Sequence, residues 1–103
     1  MHPTIERHLD EIIALRNEYG VIRLEIFGSA VTGEFDLDRS DFDFLVEYPE
    51  GHDFGPWGSG RLELRDRLEA LFGLKVDLII PKNLRNPYVI RSINESRRLL
   101  YAA

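Results

Sequence analysis

The chain contains no cysteine, which excludes disulfides and thiolate metal sites and leaves oxygen and imidazole as the available metal donors. Positive charge is also scarce: 13 Lys and Arg stand against 18 Asp and Glu, for a net charge of −5. That balance does not supply the broad phosphate-neutralising surface that dominates nucleic-acid affinity, so no direct nucleic-acid binding is expected, and a small substrate or a protein partner is favoured. No apolar run approaches the roughly 20 residues that span a bilayer. The opening "MHPTIERHLDE" lacks the apolar centre of a secretory signal, so the expectation is a cytoplasmic protein without membrane association. Internal repeats and low-complexity segments are missing too. The 103 residues suffice for one hydrophobic core, and residues 1–103 are expected to form a single domain.

What is present reads as alternating helices and strands. Ile5, Leu9, Ile12, Ile13 and Arg16 fall at helical spacing over residues 4–19, and Gly20 is placed to end that helix. "VIRLEIF" then alternates, with Ile22, Leu24 and Ile26 on one side, as a strand does. "DFDFLVEY" resumes period two up to Pro49, and "PEGHDFGPWGSG" is a loop by its glycine and proline content. A helix is expected from about Gly60, with Leu62, Leu68, Leu71 and Phe72 on its apolar side, followed by a third strand, "KVDLII". Asn86 and Pro87 form an N-cap and first-turn pair for a last helix running to about Arg98, with "LLYAA" as an extended tail. The order implies a small α/β sheet backed by helices.

The chemistry concentrates in three aspartates. Positions i and i+2 of a strand share a face, so Asp41 and Asp43 project together while Phe42, Phe44, Val46 and Tyr48 take the core side. Adjacent carboxylates raise each other's pKa unless a cation lies between them. Asp77 sits mid-strand on the face opposite Val76, Leu78 and Ile80. If its strand pairs beside the first, three carboxylates converge in a set suited to Mg²⁺, and two such ions roughly 3.5–4 Å apart serve in-line displacement at phosphorus. An isolated Asp-x-Asp is common by chance, so the surrounding residues decide its meaning. Just upstream, Gly28 and Ser29 stand where a strand ends and a short helix is expected. Free backbone N–H groups and a hydroxyl there suit a triphosphate.

The whole string is more specific than its parts. Gly28-Ser29, Gly33, Ser40, Asp41 and Asp43 follow the pattern G-S-x3-G-x6-S-D-x-D between the strands "LEIF" and "FLV". It resembles the DNA polymerase β-like nucleotidyltransferase superfamily and, within it, the minimal nucleotidyltransferase (MNT) domains. The likeness extends through "VDL" to the end of the chain. It implies a small mixed sheet backed by helices, with Gly28, Ser29, Gly33 and Ser40 at the nucleotide. Asp41 and Asp43 would ligate two Mg²⁺ ions, while Asp77 would complete one metal site and help activate the attacking hydroxyl. It further implies ATP as substrate and a HEPN-family toxin as partner, silenced by transfer of AMP to a tyrosine hydroxyl. Thr32 stands where many members carry a basic residue, and Arg39 or an arginine of the partner is the expected replacement. Two alternatives accompany this expectation: transfer to a small molecule, and an antitoxin that neutralises its partner by binding alone.

The remaining features have plainer readings. His2, His8 and His52 show no metal-ligand spacing and are assigned no role. Trp57 and Phe54 are expected to cap the core, and Arg61, Arg65 and Arg67 to form a solvated helix face from which Arg65 could reach a phosphate. Tyr101 is expected to pack at the chain end.

Overall fold

The computed structural model describes residues 1–33 and 41–103. In chain order they form α1 (Pro3–Arg7), α2 (Leu9–Glu18), β1 (Arg23–Phe27), α3 (Ser29–Thr32), β2 (Phe42–Glu47), α4 (Ser59–Phe72), β3 (Val76–Ile79), α5 (Pro87–Ser96) and β4 (Arg98–Ala102). The strands make one mixed sheet in the order β3-β2-β1-β4. Strand β1 is antiparallel to both of its neighbours, whereas β3 runs parallel to β2. A parallel pair needs a crossover, and α4 supplies it.

The alternation of β2 decides where the core lies. Phe42, Phe44 and Val46 are fully buried and cluster with Leu24 and Ile26 of β1, Val76 and Leu78 of β3, Leu64 and Leu68 of α4, and Ile5, Ile12 and Leu15 of the N-terminal helices. Phe72 meets Phe42 edge-on, their ring centroids 5.0 Å apart, a favoured aromatic geometry. Helix α4 also covers the outer edge of β3. Glu69 Oε2 accepts from the Val76 N–H at 2.9 Å, and Arg61 Nη1 donates to the Leu78 carbonyl at 3.0 Å. Those side chains occupy edge groups that would otherwise template another strand. At the start of α5, Asn86 caps as its sequence position implies, its side chain accepting from the Tyr88 N–H at 2.9 Å.

Several expectations are corrected. The first helix is two helices broken at His8, where φ is −107° and ψ 15°. There the backbone N–H and the ring Nδ1 both turn to the Thr4 carbonyl, at 3.2 and 2.8 Å. The first strand begins at Arg23, so Ile22 is exposed and does not join Leu24 and Ile26 in the core. Leu62 is 44% exposed, because Leu64 and Leu68 form the buried side of α4. Helix α5 ends at Ser96, and the expected tail is strand β4, paired with β1. Trp57 caps nothing: its side chain is fully exposed and its φ is +60°, a conformation a bulky residue rarely adopts. Phe54 instead packs on Tyr48 and His52, at centroid distances of 4.6 and 4.8 Å. Tyr101 lies against the Arg16 guanidinium, 3.7 Å from carbon to ring centroid. Among the described residues no helix is long and apolar enough to cross a membrane.

Candidate active site

The site forms at the end of the sheet where β1 leaves and β2 enters. Gly28 links β1 to α3 with φ 78° and ψ −149°, a backbone conformation that favours glycine. Space sets a second requirement: a Cβ on Gly28 would stand 3.1 Å from Asp43 Oδ2. Glycine therefore lets the turn lie directly against that carboxylate. The Gly28 N–H is not free for a ligand, since it donates to Ser96 Oγ at 2.8 Å. The donors that remain open are the N–H groups of Ser29 and Ala30, the first two of α3, which have no partner among the described residues. Gly33, at φ 84°, closes α3 as its C-cap, and its N–H reaches the Ser29 carbonyl at 3.3 Å. Ser40 and Arg39 lie outside the described residues.

The carboxylates are placed by strand register. Asp43 pairs with Asp77 across the parallel β2 and β3, and with Phe27 across the antiparallel β2 and β1, so the three side chains share the sheet face opposite the core. Asp41 enters that face from the residue before β2. Burial, then the charges of Asp77 and Asp41, push the Asp43 carboxyl up to about 6. Crowded anions without a cation produce that sign of shift. Among the described residues no three carboxylate or imidazole side chains stand close enough to hold one ion. The strand register sets Asp43 beside Asp77 at the level of the backbone. As a donor set, three carboxylates, one of them raised to about 6 by burial and its neighbours' charge, match the chemistry of a hard divalent cation.

Another carboxylate on this face, Glu25, has its cation built in. Glu25, 5% exposed, sits opposite Leu45 in the β1–β2 register. It accepts from Arg97 through both oxygens, with Nε at 3.2 Å, and from Arg23 Nη2 at 3.4 Å. Burial alone would raise its pKa, but the hydrogen bonds and charges of the two arginines outweigh that and hold it below the usual value.

Ser96 is the contact that local sequence patterns do not disclose. It is 6% exposed, and its partner Gly28 is 68 positions away in the chain. One cavity, of about 560 Å³, flanks the site beside Ser29, Val31 and the N-terminal residues His2 and Thr4. Another, of about 400 Å³, lies at the opposite end of the sheet, where it is lined by Glu47, His52 and Lys82 and touches none of the three aspartates.

Comparison with known proteins bears on the same segment. The family described as nucleotidyltransferase domain matches residues 5–100. A Methanocaldococcus jannaschii protein provisionally named a protein adenylyltransferase is 44% identical over 81 residues, covering 79% of this chain and 78% of its own. A solved structure provisionally described as a minimal nucleotidyltransferase superposes with a TM-score of 0.73 at 27% identity, covering 95% of each chain. The MNT antitoxin complex of a tri-AMPylated Shewanella oneidensis HEPN toxin shares the fold at a TM-score of 0.66 and 18% identity, over 95% of this chain and 72% of that one.

Proposed function

The chain belongs to the nucleotidyltransferase domain family, and on that premise we propose that it is a Mg²⁺-dependent protein adenylyltransferase. It moves AMP from ATP to a tyrosine hydroxyl of a HEPN-type toxin and thereby acts as the antitoxin. The observation that carries this reading is the Asp43↔Asp77 register, with Asp43 held against the Gly28 turn. It supports the reading because the carboxylates of β2 and β3 then lie at the same end of the sheet as the turn from β1 into α3. The name of the M. jannaschii relative supports AMP transfer to a protein, and the HEPN–MNT complex supports the class of partner. In this reading residues 1–103 are one minimal nucleotidyltransferase domain working in the cytoplasm.

Asp41, Asp43 and Asp77 would hold two Mg²⁺ ions, which when bound neutralise the charge developing on the phosphoryl oxygens. The chain's own groups do the rest. The N–H groups of Ser29 and Ala30 and the Ser29 hydroxyl bind the β and γ phosphates, and Gly33 and Ser40 are assigned to the same nucleotide site. Gly28 shapes the turn rather than donating, since its N–H is already taken by Ser96. The acceptor hydroxyl oxygen bonds to the α-phosphorus as the bond from that phosphorus to the bridging oxygen breaks. Pyrophosphate leaves, and the hydroxyl proton passes to Asp77, whose exposure opens a path to water.

The test is the intact mass of a HEPN-type toxin after incubation with this protein, ATP and Mg²⁺. Whole AMP units are expected with the native protein and none with an Asp41→Asn/Asp43→Asn double variant. Protection from the toxin by both proteins without any mass gain would overturn transfer in favour of neutralisation by binding.

A further inference from the structure

In-line displacement gives this site a direction. The entering oxygen must arrive opposite the departing pyrophosphate. The phosphate donors follow β1 while Asp77 lies on β3, on the other side of β2. Pyrophosphate therefore departs over β1, and the acceptor approaches over β3.

That approach side contains a cleft of about 110 Å³ lined by Arg61, Leu62, Arg65, Asp77 and Leu78. Arg61 and Arg65 are one helical turn apart on α4 and so share a face. Arg61 is anchored by its bond to the Leu78 carbonyl, which fixes the direction of its guanidinium. Arg65 is less committed. One of its terminal nitrogens meets Asp66 at 3.2 Å on the surface, but its Nε is buried without a hydrogen-bond partner. The surface pair is worth little, whereas an unmatched buried N–H is costly. The Nε lies inside, so the part of Arg65 that a ligand can reach is its half-exposed terminal end, held only by the weak Asp66 pair, and a guanidinium end of that kind matches a carboxylate. Leu62 adds an exposed apolar wall to the cleft, as an aromatic acceptor would use.

Resting on the nucleotidyl-transfer reading above, we propose that the Arg61–Arg65 cleft is an acceptor subsite, which binds a carboxylate next to the hydroxyl that receives the nucleotide. The acceptor segment is accordingly acidic, and this subsite selects it.

The experiment uses two tyrosine peptides that differ only in carrying glutamate or glutamine beside the tyrosine. Transfer from ATP and Mg²⁺ is followed by mass, and binding by fluorescence anisotropy with a non-hydrolysable ATP analogue. The glutamate peptide is expected to react at least about 10-fold more efficiently, mainly through KM, a difference of about 1.4 kcal/mol. Arg65→Glu should abolish that preference and favour a lysine-flanked peptide, and Arg65→Met should abolish it without reversal, while KM for ATP stays unchanged. Equal use of both peptides by the native protein would overturn the subsite. So would a raised KM for ATP in Arg65→Glu, which would assign the cleft to the nucleotide. Preferential binding of the glutamate peptide without transfer to either would overturn tyrosine transfer and leave the subsite standing; absence of binding and transfer alike would remove the subsite.

Discussion

Glu25 and Asp43 occupy neighbouring strands, point to the same face of the sheet and are both withdrawn from water, yet they are shifted in opposite directions. The difference lies in what surrounds them. Glu25 receives guanidinium donors from Arg97 and Arg23, so the chain supplies its counter-charge and the carboxylate stays ionised. Asp43 is raised first by its burial, and with Asp77 and Asp41 for neighbours the chain adds further negative charge instead of offsetting it, so the carboxyl keeps its proton to about 6. A structural carboxylate is neutralised from within, whereas a site carboxylate is left for something outside the chain to neutralise. The sheet thus has one anion that holds the fold together and one that the fold tolerates.

Removing the internal cation should have the largest effect on this contrast. Arg97→Met leaves Glu25 buried with only the longer Arg23 contact, and stripping one partner from a buried pair costs about 3–5 kcal/mol. Because Arg97 is itself partly exposed, the low end, about 3 kcal/mol, is expected at neutral pH. Glu25 has a depressed folded-state pKa. Its contribution is therefore present above the unfolded value and lost as pH falls through the folded one. The gap between native and Arg97→Met urea midpoints should narrow in acid, and a gap independent of pH would mean that the arginine acts through packing alone. Glu25→Gln in the Arg97→Met background should recover part of the loss.

Asp43 should behave with the reverse sign. Its folded-state pKa lies above the value of 3.8 expected for a free side chain, so its contribution is present below that value and disappears as pH rises through about 6. Metal-free protein should therefore lose about 1–3 kcal/mol from this group across that interval. Asp43→Asn removes the dependence. Thermal melts in a chelator should find the variant equal to the native protein near the acid end and more stable than it above neutrality, while AMP transfer is abolished. A variant less stable than native at every pH would show that Asp43 is held by unrecognised donors and is no unmet anion.

Much of this arrangement could be read from the sequence because it depends on short-range periodicity. The alternation of "DFDFLV" separates Asp43 from Phe42 and Phe44 without reference to any other strand. Asn86 followed by Pro87 marks the start of α5 by local chemistry alone. Interactions between distant segments escaped. Strand β4 has two adjacent leucines and no clean alternation, and only its pairing with β1 makes it a strand. Glu25 sits on what reads as the polar side of β1 and is buried because Arg97, 72 positions later, covers it. The break at His8 interrupts an unbroken apolar period, since a side chain competing for the Thr4 carbonyl leaves no trace in hydrophobicity. At the site, the pattern gave the carboxylates and the glycine turn but not which N–H groups remain open, because that depends on Ser96.

The smallest expected effect tests the join between the two anions' surroundings. Ser96 and Arg97 are consecutive: one accepts from the Gly28 N–H and the other holds Glu25. The ion pair therefore fixes the corner from which the hydroxyl reaches the turn. Ser96→Ala removes one hydrogen bond and leaves a glycine N–H unmatched, a loss of about 1 kcal/mol. If the hydroxyl only supports the fold, transfer by the folded variant should be unchanged. If it sets the turn that presents Ser29 and Ala30 to phosphate, KM for ATP should rise several-fold with kcat nearly constant, and the Gly28 amide should exchange faster with solvent. Ser96→Thr, which keeps the oxygen, should restore both. A faster-exchanging Gly28 amide with an unaltered KM would show that the turn keeps its shape without the bond, leaving Gly28 conformation and the Asp43 contact as its determinants.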